Sequence, residues 1–501
     1  MNVLFSLDRT GQAPCLAEIT DRRIPVKSKL CRKLNRSMGD PLNRILNRLR
    51  FVFPEPATCF VVIGSLFGLL YLVCVPPFQV PDENRHFWRA YQIAEGHWIS
   101  QVHDGQAGGW LPVSIAECGV STEAMNWDFS EKTTRADIQS RFSTPLNPDQ
   151  RVFVPLRSAV YSPVAYLPAA AAMRTAMLGD VSPLMLMYIG RLANLLCWLV
   201  LTWYAIHNLP FYKWLFVVLA LTPMSLVQAA SLSADSLTNA LAFLCLALFL
   251  SEAFTARPFD RRSLYRLLIV TILLVLTKNV FLLFCLLFFI IPARRFASRR
   301  QYLVNFSILV IGSTAALAIW ALTVRHLPVD WKMDVFPERQ AAWILRHPVD
   351  YLLILARTLA RYYWYYYTGF VGAFGWKFFY LGAWHVRLWM LLIVLVSLTD
   401  ADREKTIALR QKSLLAVVFA ATGGLIFTLL YACWNPVGAP LIEGVQARYF
   451  IPIAPLLCML FSNRRLSTDR FCWKSAVIPV ATVVSLSAAL TVIIERFYQA
   501  A

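Results

Sequence analysis

Pro81-Asp82-Glu83-Asn84-Arg85-His86 sets two adjacent carboxylates and a histidine a few residues after an apolar run, Ala57 to Val75. Acids held where a chain leaves a bilayer, beside a lipid-accessible cavity, can take a proton from a hydroxyl attacking a lipid-bound substrate. If residues 82–95 form a helix, Asp82, Arg85, His86 and Arg89 share one face, and Phe87, Ala90, Tyr91 and Ala94 share an apolar one. Asp82 is then the expected N-cap and Gly96 the stop. Such a helix is expected to lie against the membrane with its polar stripe turned to a cavity. The spacing fits equally a capped helix with a solvated face. Asp82 and His86 can also share a divalent cation, but two ligands are too few to specify one.

Other ionisable groups stand beside apolar runs, where they cost energy unless they meet a cavity or a partner. Asp235 begins one run, Lys278 separates two, and Glu443 and Arg448 precede another. Lys278 as a point charge and Arg448 through paired donors suit a phosphate. Arg357 and Arg361 share a helical face just before the aromatic run Tyr362 to Tyr367. Those rings suit a lipid tail, a sugar or an ordinary interfacial belt. Trp110, Trp127, His97, His103, Asp104 and Asp128, earlier in the chain, leave the same choice between sugar stacking and a belt.

The elements that must position these groups are membrane helices. Of 501 residues, 58% are hydrophobic and 15% charged, and the apolar residues fall in blocks long enough to span a hydrocarbon core. The expected fold is all-α and polytopic, with about eleven spans. They fall near 57–75, 184–206, 211–230, 235–256, 264–278, 280–293, 302–324, 381–398, 413–433, 449–462 and 475–495. Residues 160–178 are ambiguous, with Arg174 inside and prolines nearby.

The net charge of +19 sits between the apolar runs, at Arg257, Arg261 and Arg262, at 294–300, at 403–412 and at 464–470. That layout marks cytoplasmic loops rather than a nucleic-acid surface. Alternating the spans from a cytoplasmic N-terminus puts every basic cluster on one side, provided 160–178 does not cross. It also leaves two large outer loops, 76–159 and 325–380, and sets Asp82, Asp235, Lys278, Glu443 and Arg448 at one face. Residues 1–56, with eleven Lys or Arg, read as a basic cytoplasmic arm rather than a cleavable signal, and 57–495 as one membrane domain. The 11 cysteines show no CxxC pair, so neither a structural disulfide nor a zinc site is expected.

Several motifs together resemble a bacterial family of multipass membrane proteins, catalogued as domain of unknown function 2142 and distantly akin to the GT-C glycosyltransferases. They are Pro77 to His86, Ser233 to Asn239, Leu276-Thr277-Lys278, Gly372 to Trp376, and Gly444 to Pro452, which includes Gln446 and Arg448. The likeness extends over roughly residues 57–495. It implies a GT-C-like fold in the bacterial inner membrane. It also implies a polyprenyl-phosphate-linked sugar as donor and a cell-surface glycan or lipid as acceptor. Asp82 or Glu83 then serves as the base. His86, Arg89, Asp235, Lys278, Arg357, Arg361, Glu443, Gln446 and Arg448 form the substrate site. This chain has His86 where a further acid could have served, so no metal or other cofactor is expected. Transport of a lipid-linked saccharide and a non-catalytic role in polysaccharide assembly are the alternatives.

Overall fold

The first apolar run folds as α1, Pro56–Cys74, with proline at its start, where a missing N–H has no helical partner to lose. After it, α2 (Glu83–Ala94) buries Phe87, Ala90, Tyr91 and Ala94 on one face. This helix packs chiefly against the short helices Val113–Val120 and Leu167–Ala176. Beside it is a three-stranded antiparallel sheet of β1 (Gln101–His103), β2 (Gln106–Pro112) and β3 (Arg151–Pro155), with β2 central and Trp110 opposite Phe153. The chain is mostly helical, as expected, with this small sheet as an exception. Val152, Phe153 and Val154 favour an extended chain, and Gly108 and Gly109 allow close approach. A Cβ on Gly108 would stand 2.1 Å from the Val154 carbonyl oxygen, and one on Gly109 2.5 Å from the Gln92 amide.

The computed structural model describes residues 55–329, 334–376, 379–402, 406–463, 466 and 473–499. The basic arm, except its last two residues, lies outside the described residues, as do Arg403, Lys405, Arg464, Arg465 and Arg470.

Residues 160–178 form a 3-10 turn and then α3, Leu167–Ala176. Its ten residues rise only about 15 Å, half a hydrocarbon core. Next comes α4 (Pro183–Asn208), where Ser182 accepts from the Met185 N–H as N-cap. The span expected over 211–230 is broken into α5 (Lys213–Ala220) and α6 (Pro223–Ala229). Pro223 has no N–H to continue the ladder and holds Thr222 extended. Central to the bundle is α7 (Asp235–Phe254), 89% of whose apolar window is buried.

After α8 (Arg261–Thr277), residues Asn279–Ile290 form a 3-10 helix. At about 2.0 Å per residue, its twelve residues rise about 24 Å, further than the same run would reach as an α-helix. The chain thereby returns to where α8 began, and the Phe259 N–H donates to the Arg295 carbonyl at 2.9 Å. Then follow α9 (Arg299–Val324), α10 (Pro337–Arg346), α11 (Pro348–Gly372) and a hairpin of β4 (Ala373–Phe374) and β5 (Phe379–Tyr380). The chain continues through α12 (Ala383–Thr399) and α13 (Leu409–Trp434), then a 3-10 turn Ala447–Ile453 running into α14 (Ala454–Leu460), and α15 (Trp473–Phe497). Among the described residues, α1, α4, α7, α9, α13 and α15 are long and apolar enough to cross a membrane. The other five of the eleven expected spans are short, broken or 3-10.

The second expected outer loop is mostly helical, in α10 and α11. Tyr351 bonds Thr428 at 2.6 Å near the start of α11, and Tyr366 meets Phe427 edge-on four turns later. Both ends of that stretch therefore meet the same part of α13. Three bonds gather basic segments at the opposite end: Arg295 to the Arg257 carbonyl, Gln411 to the Ile290 carbonyl, and Lys412 to the Ser462 carbonyl.

One buried ion pair locks the other end. Arg191, inside α4, and Glu83 are both fully buried. The guanidinium donates from Nε and Nη2 to the Glu83 carboxylate at 2.8 and 2.6 Å. It also donates to the carbonyls of Leu72, Val75 and Pro76, which close α1. Glu83 Oε1 accepts the Leu232 N–H at 3.0 Å, in the turn leading to α7. Removing one partner of such a pair leaves an uncompensated buried charge, at a cost of about 3–5 kcal/mol. Arg191→Met is therefore expected to lower the thermal unfolding midpoint of the purified protein sharply. An unchanged midpoint would show that the lock carries no stability.

Candidate functional site at the locked end of the bundle

Asp82 sits between the lock and the solvent. Glu83 N–H donates to the Val80 carbonyl at 3.1 Å, closing a turn with Pro81 and Asp82 at its centre. Asp82 has φ 67° and ψ 5°, the left-handed third position of a type II turn, where glycine is the usual occupant. Asp82 begins α2 but its side chain makes no capping hydrogen bond. Its Oδ1 lies 3.5 Å from Arg85 and its Oδ2 3.5 Å from Arg448. The expected cap is thus a carboxylate that meets side-chain cations instead of the backbone N–H groups of its helix.

Asp235, at the start of α7, is 8% exposed. Its Oδ1 accepts from Lys278 Nζ, and its Oδ2 lies 3.2 Å from Arg448 Nε. Lys278 emerges at the turn between α8 and the 3-10 helix, 4.7 Å from the centre of the Tyr449 ring. Arg448 is only 4% exposed, and its guanidinium meets both carboxylates and lies 5.6 Å from the centre of the Tyr449 ring. His86 Nδ1 lies 3.0 Å from the Tyr166 hydroxyl, while the ring faces Asp82, Asp235, Arg448 and Lys278. Burial lowers the His86 pKa below its ordinary 6.5, against the raising pull of Asp82 and Asp235 and with Arg448 and Lys278 adding to the fall. Neutral His86 leaves two carboxylates facing three cations, Arg85, Lys278 and Arg448.

The structure brings together Asp82, His86, Asp235, Lys278 and Arg448, and leaves the other expected site residues apart. Glu83 has both oxygens taken by Arg191 and the Leu232 N–H, which removes it from the pair of candidate bases. Arg89 departs from the polar stripe. It is fully buried and donates to the His97 and Trp98 carbonyls, tying down the chain after α2. Arg357 and Arg361 are exposed on α11 and take no part in the ion-pair cluster. Glu443 is exposed, and its N–H donates to Asn435 at 2.8 Å. Gln446 is half-buried two residues before Arg448, with its Oε1 unbonded among the described residues. Residues absent from the sequence reading are Arg191, Tyr166 and Tyr449. A lone arginine inside an apolar run was signal enough for the first.

Among the described residues no group of three or more His, Cys, Asp and Glu is able to hold a metal ion. Asp82 and Asp235 are already matched to cations, an arrangement that does not fit a divalent ion.

Two outcomes follow. Asp82→Gly relieves a left-handed backbone and gives up only long, partly exposed ion contacts, so the unfolding midpoint is expected to hold or rise. A marked fall would make Asp82 a stabilising residue. A histidine whose pKa is lowered by folding contributes stability that is complete above pH 6.5 and lost as pH falls through its folded value. Between pH 7.5 and 5.5 the midpoint of the wild type should therefore fall more than that of His86→Gln, and parallel curves would refute it.

The chain matches the model of a family described as predicted membrane protein (DUF2142) over residues 65–457. No curated protein and no solved structure matches it. With the match running from within α1 through most of α14, the chain belongs to this family of membrane proteins.

Proposed function

We propose that this membrane protein is a glycosyltransferase that moves a sugar from a polyprenyl-phosphate donor to a glycan or lipid acceptor. The observation that carries the reading is Arg448, buried against Asp82 and Asp235 with Lys278 and Arg85 beside them, so that three cations face two carboxylates. A phosphodiester brings one negative charge, which matches the one cation in excess at this cluster. In the reaction the acceptor oxygen bonds to the anomeric carbon as the bond from that carbon to the phosphate oxygen breaks. Asp82 takes the acceptor proton, and charge grows on the departing polyprenyl phosphate. Lys278 and Arg448 gain attraction as that charge develops, which is the differential binding that lowers a barrier. The aromatic run of α11, with Tyr363 and Trp364 exposed, offers rings to the polyprenyl chain. On the positive-inside rule the basic end faces the cytoplasm, and the cluster opens on the outer face of the inner membrane.

A second reading is transport of a lipid-linked saccharide. The break between α5 and α6 and the twelve-residue 3-10 helix favour it, since transporters use discontinuous helices.

Purified protein given a radiolabelled polyprenyl-phosphate sugar separates the two. Transfer is expected from the wild type, with a loss of about 10²–10⁴-fold in Asp82→Asn. Equal, robust transfer by both would remove Asp82 as base. Movement of the labelled lipid across proteoliposomes with no covalent product would establish transport instead.

A further inference from the structure

At the end of the bundle away from Lys278, α8 and α9 both begin with a pair of arginines, Arg261-Arg262 and Arg299-Arg300. The two starts stand side by side. The Phe259 N–H donates to the Arg295 carbonyl at 2.9 Å, and the Phe259 and Phe296 rings stack with centroids 4.6 Å apart. Arg295 pins both segments from within. It is 5% exposed, donates to the Arg257 carbonyl at 2.7 Å and pairs with Glu252 at 2.9 Å. Around this buried pair six arginines are exposed: the four at the helix starts, Arg257 and Arg294. The two carboxylates in these segments are already used. Glu252 meets Arg295 and Arg266, and Asp260 accepts the Ser263 N–H at 2.8 Å as N-cap of α8.

Cations at a helix start oppose the macrodipole and repel one another, so this edge is unfavourable without an anion against it. The neighbouring helix faces say which anion. α9 is long and apolar enough to cross a membrane, and only 17% of its apolar window is buried, so lipid chains must cover the rest. On α9 the exposed Val304, Ile308 and Ile311 follow Arg300 at helical spacing, and on α8 the exposed Tyr265 and Ile269 follow Arg261. Each apolar stripe therefore ends in arginine. A lipid lying along either stripe sets its headgroup among the guanidinium groups, which bind a phosphodiester through paired donors. A soluble anion would meet the arginines and gain nothing from the stripes. A zwitterionic lipid would cover the stripes but bring a cation of its own to the arginines.

We infer that the edge formed by the starts of α8 and α9 selectively binds anionic phospholipid, with the phosphate on the paired arginines and the acyl chains along the two stripes. Binding at this edge is independent of any reaction at the charged cluster.

The test is native mass spectrometry of the delipidated full chain in a neutral detergent, titrated with dioleoyl phosphatidylglycerol or dioleoyl phosphatidylcholine. The phosphatidylglycerol is expected to reach half-occupancy at a concentration at least about tenfold lower. Equal occupancy by the two lipids would overturn the inference. Excess glycerol phosphate, which has the anion without the chains, should not displace the lipid; displacement would assign the arginines to soluble anions and overturn it too. The variant R261Q/R262Q/R299Q/R300Q should erase the preference, while its unfolding midpoint without lipid holds or rises as cations leave two positive helix ends. The milder R261Q/R300Q, at the heads of the two stripes, should weaken the preference. Arg135, Arg174, Arg325 and Arg346 are exposed away from this edge. Replacing those four by glutamine removes the same charge and should leave the preference intact. A preference lost equally there would make it an effect of net charge and sink the site.

Discussion

The buried pair of Arg191 and Glu83 is the constraint on which the locked end of the bundle depends. Taking two charges out of water is expensive, and mutual attraction repays it only when the remaining donors and acceptors are also met. Here they are. Arg191 makes five hydrogen bonds, two to Glu83 and three to carbonyls at the end of α1, where the helix dipole is negative. The pair ties three separate pieces of chain: the exit of α1, the entry of α2 and, through the Leu232 N–H, the turn before α7. Asp82 is the residue before Glu83, and Asp235 is three residues after Leu232. Both carboxylates of the cluster are thus positioned by a charge pair that stands outside it.

A second buried arginine makes the contrast informative. Arg448 is nearly as buried as Arg191, but its contacts with Asp82 and Asp235 are long, 3.5 and 3.2 Å. Asp82 shows a similar tension in its backbone. It keeps a left-handed conformation that glycine adopts more cheaply, and its side chain gives the helix no cap in return. Incomplete satisfaction and retained strain occur side by side, a few residues from a lock that has neither. Local rules are broken where a site is expected to bind something and obeyed where it is only held in place.

The membrane class, the positions of the long helices and the gathering of Asp82, Asp235, Lys278 and Arg448 were legible in the sequence. Apolar run length and the placing of charges between runs carry that information directly. Glu83 was not separable from Asp82, because adjacent residues share every sequence signal and differ only in which side of a turn they face. Arg89 was misread because a helical wheel puts it with Asp82 and His86. It cannot show that the chain after α2 folds back to offer the carbonyls of His97 and Trp98. The sheet escaped notice because its strands are short and β2 contains two glycines, whose value lies in close packing against Val154 and Gln92 rather than in any propensity. The 3-10 helix escaped because twelve apolar residues read as a short α-helix, and only its greater rise lets it return across the bundle.

The turn at Pro81 and Asp82 separates two unlike surroundings. Pro81 lines a cleft without charges, and Asp82 points into a cluster of them. A type II turn needs its third residue at positive φ, and aspartate tolerates that conformation better than most residues with a side chain. Glycine would relax the turn but leave no carboxylate at the boundary. Glutamate would supply the acid at greater backbone strain and on a longer, less ordered stem. Aspartate is therefore the acidic residue best suited to hold a carboxylate at the edge of the cationic cluster. The lock one residue later keeps that carboxylate from relaxing into a helix cap.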